Sequence, residues 1–239
     1  MLSTYLPLAL LVAQGVSAFP LLPDLLQTRQ STACASVHVF IARGSNEEYP
    51  GRQSAVVSAV CSGISSCNYE DITYPATFDN YCVSAGTGVS NGMAQIRAYA
   101  AKCPSAKLVL TGYSQGAHVV GDILGGGGGV SSIGCTQATN TGFSPTTSPG
   151  SQIVAATLFG DVRHVAFQSY NVGTAPDKNG LWPRADTQLT NLNRWSSILS
   201  SWCDSGDPVC GSGLDVNAHL AYFGKYSSAA GEFVKSKLG

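Results

Sequence analysis

The pentapeptide Gly112-Tyr113-Ser114-Gln115-Gly116 stands between an apolar run at 108–111 and a segment of helical spacing at 115–124. A chain that turns this tightly from strand into helix tolerates only small residues at the flanking positions. The central serine is thereby forced into a strained conformation, with Oγ projecting above the edge of a sheet. The rest of the chain repeats the alternation. Apolar, β-branched runs at 37–42 and 153–159 predict buried strands, closed by Arg43-Gly44-Ser45 and Gly160-Asp161. Segments 55–64, 89–101, 189–202 and 227–237 predict helices, the second ending before Pro104. Strands alternating with helices imply an α/β class: a parallel sheet covered on both faces. No internal repeat or Ser/Thr/Pro-rich linker interrupts residues 32–239, so one domain is expected. The glycine run at 125–129 follows a predicted helix. A phosphate loop instead follows a strand and opens a helix, so this run is read as a flexible connection.

Composition narrows the partners. Thirteen basic against fourteen acidic residues leave a net charge of -1, and charged residues make up only 11% of the chain. Lys and Arg are scattered, which argues against a nucleic-acid face. Residues 6–16 are apolar and lead to Val16-Ser17-Ala18, a small-residue site for cleavage after Ala18. We expect a signal peptide at 1–18, followed at 19–31 by a pro-segment or a loose tail. No run approaches the ~20 apolar residues of a membrane span. Eight cysteines (Cys34, Cys61, Cys67, Cys82, Cys103, Cys135, Cys203, Cys210) read as four disulfides in an exported chain, with the pairing open. No Cys-x-x-Cys occurs and no histidine sits near a cysteine at ligand spacing, so no metal is expected. No Asn-x-Ser/Thr acceptor occurs either.

A serine nucleophile needs a base, an orienting acid and an oxyanion hole. When Ser114 opens the order, serine, acid and histidine are expected to follow in the chain. His38 precedes Ser114 within a strand and reads as a packed histidine. His118 lies one turn after Ser114 with no acid between. His164 is three residues from Asp161, too close for the two to approach from separate loops. His219 follows Asp204, Asp207 and Asp215 and is the expected base. Among the candidate acids Asp161, Asp204, Asp207 and Asp215, we favour Asp207. It lies within Cys203-Asp204-Ser205-Gly206-Asp207-Pro208-Val209-Cys210, where a small disulfide loop would hold one carboxylate rigidly. Gln115 N–H at a helix start and Ser45 after the first strand are the expected oxyanion donors.

These residues resemble the fungal cutinase and acetylxylan esterase family. The likeness is carried by Ala42-Arg43-Gly44-Ser45-x-Glu47, Gly112-Tyr113-Ser114-Gln115-Gly116-Ala117, Cys203-x-x-x-Asp207-Pro208-x-Cys210 and His219-x-x-Tyr222. Tyr74-Pro75-Ala76 and the closing Phe233-Val234-Lys235-Ser236-Lys237-Leu238-Gly239 look like the acetylxylan esterases. The resemblance implies a compact, lidless α/β-hydrolase-like three-layer sandwich around a five-stranded parallel sheet. It further implies the triad Ser114, Asp207 and His219, an oxyanion hole of Ser45 and Gln115, and no cofactor. Bridges Cys34–Cys103 and Cys203–Cys210 follow from the family pattern. Leu124 replaces a cysteine often present there, which opens the pairing of the other four; Cys61–Cys67 with Cys82–Cys135 is expected. Val209 and Ser45 are cutinase-like choices, where acetylxylan esterases carry Tyr and usually Thr.

The implied reaction is two-step acyl transfer by a secreted, monomeric esterase acting on plant cell-wall esters. Acetylated xylan or other short-chain esters stand first, and cutin polyester second. A rival of another class is an inactive secreted binding or effector protein on the same scaffold, which organophosphate labelling of Ser114 discriminates. A peptidase reading lacks any feature for gripping an extended chain.

Overall fold

A computed structural model describes residues 33–239. The expected signal peptide at 1–18 and the segment 19–31 lie outside the described residues. The chain runs β1 (Val37–Ala42), α1 (Ser54–Cys61), β2 (Cys67–Asp71), α2 (Tyr81–Lys102), β3 (Lys107–Tyr113) and α3 (Gln115–Gly125). It continues through β4 (Gly127–Val130), β5 (Thr136–Asn140), β6 (Ile153–Phe159), β7 (Asn171–Val172) and α4 (Asp186–Asn193). It closes with β8 (Leu199–Trp202), α5 (Val216–Leu220) and α6 (Tyr222–Lys237).

The main sheet has the order β2-β1-β3-β6-β8-β7, and every neighbouring pair is parallel. Phe40, Leu108, Leu110 and Leu158 join a core with α2, α3 and α4 on one face. Val37, Val39, Ile41, Val109 and Phe159 join α1 and α6 on the other. Burial on both faces is why these strands read as continuous apolar runs. The strand order reverses between β1 and β3, where Ala42 stands in register with Gly112. The carboxyl ends of strands at such a switch point form a crevice for ligands. Both Ser45 and Ser114 leave the sheet there.

Three expectations change. The sheet has six strands rather than five, because β7 adds two residues to the edge beside Ser201 and Trp202. A two-residue strand carries no readable period. The predicted helix at 189–202 divides into α4 and β8, with turns between them. Short apolar runs do not distinguish strand from helix, and β8 is specified by the gap beside β6. The glycine run is not a loose connection: β4 pairs antiparallel with β5, and residues 125–128 are buried. A Cβ at Gly127 would collide with the Asp122 carboxylate. β2 and β5, which carry polar residues, were not legible in the sequence.

The disulfides are Cys34–Cys103, Cys61–Cys67, Cys82–Cys135 and Cys203–Cys210. The first spans a separation of 69 residues and contributes roughly 4 kcal/mol in the chain-entropy account. Among the described residues no cysteine is free, no helix is long and apolar enough to cross a membrane, and no His/Cys/Asp/Glu group could hold a metal ion.

Asp122 is the hub of a buried ionic cluster behind α3. It meets His118 Nε2 at 3.0 Å, Arg163 Nη1 at 3.0 Å and Arg184 Nη2 at 3.3 Å. Arg184 Nη1 also reaches Asp161 at 2.5 Å, tying the loop after β6 to α3. Burial alone would raise the Asp122 pKa, but His118, Arg163 and Arg184 outweigh it and hold it well below the usual carboxylate range. A depressed folded pKa stabilises above the unfolded value of ~3.9, and that contribution fades as pH falls toward the folded value. Asp122→Asn, which leaves two buried guanidiniums short of charge, is expected to cost about 3–5 kcal/mol at pH 7. Denaturant titrations of the parent and variant should show a smaller gap at pH 3.

Candidate active site

The turn between β3 and α3 is built by close approach. A Cβ on Gly116 would collide with the Ala42 carbonyl, and one on Gly112 with the Gly116 carbonyl. Ser114 is thereby held at φ 54°, ψ -119°, a conformation costly for a side chain other than glycine. Its N–H donates to Phe159 O at 2.8 Å, and its carbonyl accepts from His118 N–H at 3.1 Å. Gln115, the first residue of α3, has no acceptor for its N–H within the helix. Its side chain is clamped, with Oε1 accepting from Ser84 Oγ and Nε2 donating to Thr77 O, each at 3.0 Å. Ser45 Oγ is buried and has no hydrogen-bond partner among the described residues. The loop bearing Ser45 is pinned by the Arg43 guanidinium, whose Nε donates to Glu47 O at 2.6 Å and Nη2 to Tyr74 O at 2.9 Å. That guanidinium also stacks 3.7 Å from the Tyr49 ring centroid.

The Cys203–Cys210 loop presents Asp207, which is fully buried. Asp207 Oδ1 accepts from Val209 N–H at 2.6 Å and Cys210 N–H at 3.3 Å. Oδ2 lies 2.8 Å from His219 Nδ1 and accepts from Tyr222 OH at 2.6 Å. Burial pushes the Asp207 pKa up, but the bond and charge of His219, followed by Tyr222 and Val209 N–H, bring it below the usual range. With Nδ1 facing the carboxylate, Nε2 is the ring nitrogen left for chemistry. His219 sits on α5, with its carbonyl accepting from Tyr113 OH at 3.0 Å. Ser45, Ser114 and His219 line one open cleft of about 700 Å³.

The competing residues are engaged elsewhere. Asp204 accepts from Tyr226 OH at 2.7 Å and pairs with Lys225 at 2.9 Å. Asp215 caps α5 through Asn217 N–H, and Asp161 binds Arg184. His38 is buried and stacks on Tyr99. His118 lies between Tyr81 OH and Asp122, and His164 Nδ1 faces Ser201 Oγ at 3.3 Å. Residue-level reasoning missed Arg43, Tyr113 and Tyr222 as supports. Each left a trace only as a motif position, Arg43 in Ala42-Arg43-Gly44-Ser45-x-Glu47, Tyr113 in the Gly-x-Ser-x-Gly turn and Tyr222 in His219-x-x-Tyr222.

The family model for cutinase matches residues 33–238. The chain belongs to the cutinase family. It is a carboxylic-ester hydrolase of that family, with an α/β-hydrolase-like fold. The acetylxylan esterase 2 of Talaromyces purpureogenus is 32% identical over 97% of this chain and 97% of its own length. Cutinase 11 of Verticillium dahliae is 34% identical over 88% of this chain and 70% of its own. The catalytic core of the acetyl xylan esterase from Trichoderma reesei superposes with a TM-score of 0.76 at 31% identity, covering 86% of this chain and all of that one.

Gly160, at φ 58°, follows β6 and packs against His219: a Cβ there would lie 2.7 Å from His219 Cε1 and 2.8 Å from Nδ1. Gly160→Ala must therefore move the imidazole. Displacement of about 1 Å in such a group lowers turnover on the order of 100-fold. We expect that loss in kcat with the far-ultraviolet circular dichroism retained.

Proposed function

We propose that Ser114, His219 and Asp207 act as nucleophile, base and orienting acid in two-step hydrolysis of carboxylic esters. The observation that carries this reading is the 2.8 Å approach of His219 Nδ1 to a buried carboxylate, in a cleft that also holds the strained Ser114. His219 Nε2 takes the Ser114 proton as Oγ attacks the ester carbonyl. The tetrahedral oxyanion is received by Gln115 N–H and by Ser45, whose unpartnered hydroxyl is ready to donate. His219 returns the proton to the leaving alcohol, and water then repeats the sequence on the acyl-enzyme. No cofactor enters these steps.

The substrate proposed is an O-acetyl or other short-chain ester of a plant cell-wall polysaccharide such as xylan. The names of the acetylxylan esterase relatives support it, as does the polar wall of Asn46, Glu47, Glu48 and Arg52 along the cleft. A second reading, cutin polyester, is favoured by exposed Phe78, Val216 and Leu220, which line the same cleft. We take the chain to be exported as a monomer after removal of residues 1–18, a reading supported by its four disulfides.

Ser114→Ala should abolish release of p-nitrophenol from p-nitrophenyl acetate with the fold intact, whereas sustained turnover would defeat the nucleophile assignment. Asp207→Asn is expected to lower kcat by roughly 10⁴. Across a series of p-nitrophenyl esters, kcat/KM should be highest for acetate or butyrate. A maximum at long chains would instead favour cutin. Stoichiometric labelling of Ser114 by an organophosphate separates both readings from an inactive binding protein.

A further inference from the structure

The buried phenol of Tyr222 meets the Asp204 N–H and Asp207 Oδ2, which links the acid to its own disulfide loop, and lies 3.2 Å from Cys210 Sγ of that loop's bridge. Tyr222 is fully buried at the start of α6. Its oxygen accepts the Asp204 N–H at 3.0 Å. Its proton goes to Asp207 Oδ2 at 2.6 Å, because an ionised carboxylate only accepts. The same Oδ2 faces His219 Nδ1 at 2.8 Å, while Oδ1 is occupied by the amides of Val209 and Cys210. The connected order is Asp204 N–H, Tyr222 O–H, Asp207 Oδ2, His219 Nδ1.

We propose that Tyr222 is a positioning residue that sets the proton affinity of the base by sharing the negative charge of Asp207 Oδ2 with His219. This rests on the triad reading above. Its physical basis is competition for one oxygen: a second strong donor disperses the charge that would otherwise hold the imidazolium proton. Without that donor the whole charge of Oδ2 would face the imidazole. The phenol is itself kept protonated, since burial and then Asp207 push its pKa far above the ordinary tyrosine range. The Tyr113 hydroxyl holds the His219 backbone carbonyl, and Gly160 packs against both the imidazole and the Tyr222 ring. The other ionisable groups around Asp207 are Asp204 with its partners Lys225 and Tyr226, Tyr113 on β3 and His164 after β6. None of them donates to Oδ2.

The test compares the parent with Tyr222→Phe and Tyr226→Phe, using the pH dependence of kcat/KM on p-nitrophenyl acetate and organophosphate labelling of Ser114. Tyr226 donates to Asp204 from the same helix without touching Asp207, so it controls for loosening of the loop. Tyr222→Phe should lower kcat about tenfold, leave KM within about twofold, and move the acid limb to higher pH by about half a unit or more. Tyr226→Phe should leave the acid limb in place. Site-specific 3-fluorotyrosine at 222, a stronger donor of nearly the same shape, should move the limb the opposite way. That variant keeps the question answerable if Tyr222→Phe folds poorly. A labelled parent whose acid limb is unmoved by either change at 222 overturns the assignment alone, as does an equal shift in Tyr226→Phe. A parent that fails to label at Ser114 overturns the triad reading and this assignment together.

Discussion

The close approach between the β3–α3 turn and the end of β1 governs the rest of the site. With Gly116 lying directly against the Ala42 carbonyl, any side chain there would separate the two central strands. Together with the approach of Gly112 to the Gly116 carbonyl, that contact holds Ser114 in its positive-φ conformation and brings the loop after β1 beside the start of α3. The proposed nucleophile and oxyanion donors are thus placed by the packing at the switch point of the sheet. The flanking apolar cores, one on each face, supply the rigidity that maintains it.

The proposed acid and base, Asp207 and His219, reach this edge by another route. They come from the chain after β8, where little regular structure exists to hold a carboxylate. A seven-residue separation closed by Cys203–Cys210, backbone amides on Asp207 Oδ1, and the phenol of Tyr222 take the place of a strand. Asp204 shares that loop yet belongs to a separate set of contacts with Lys225 and Tyr226, anchoring it to α6. Two carboxylates three residues apart thereby acquire different tasks from their partners, not from their residue type. The cluster around Asp122 does similar work behind α3, bracing the loop after β6 whose Gly160 abuts His219.

The cleft combines two chemistries. Its lining includes the carboxylates of Glu47 and Glu48 and the Arg52 guanidinium, suited to hydroxylated alcohol groups, together with the exposed apolar side chains of Phe78, Val216 and Leu220. Val209 sits among Trp182, Cys82 and Cys135, with Tyr81 packed alongside. The aromatic bulk near the acid loop therefore includes residues supplied from elsewhere in the chain.

By itself the sequence determined the features that rest on local rules: the strand–Gly-x-Ser-x-Gly–helix turn, the apolar strands at 37–42 and 153–159, and the order of Ser114, Asp207 and His219. These depend on nearest neighbours, chain order and steric limits at single positions. Tertiary structure alone decided what depends on neighbours distant in sequence. It made a strand of Leu199–Trp202 because β6 offers it an edge, and ordered the glycine run because Asp122 fills the space beside it. It also gave Tyr222 its place on Asp207 and Arg43 its grip on Tyr74. A motif can mark such positions, but it does not say which groups they meet. Each is a matter of which groups meet in a space too small for water, and that is known only when the whole chain has packed.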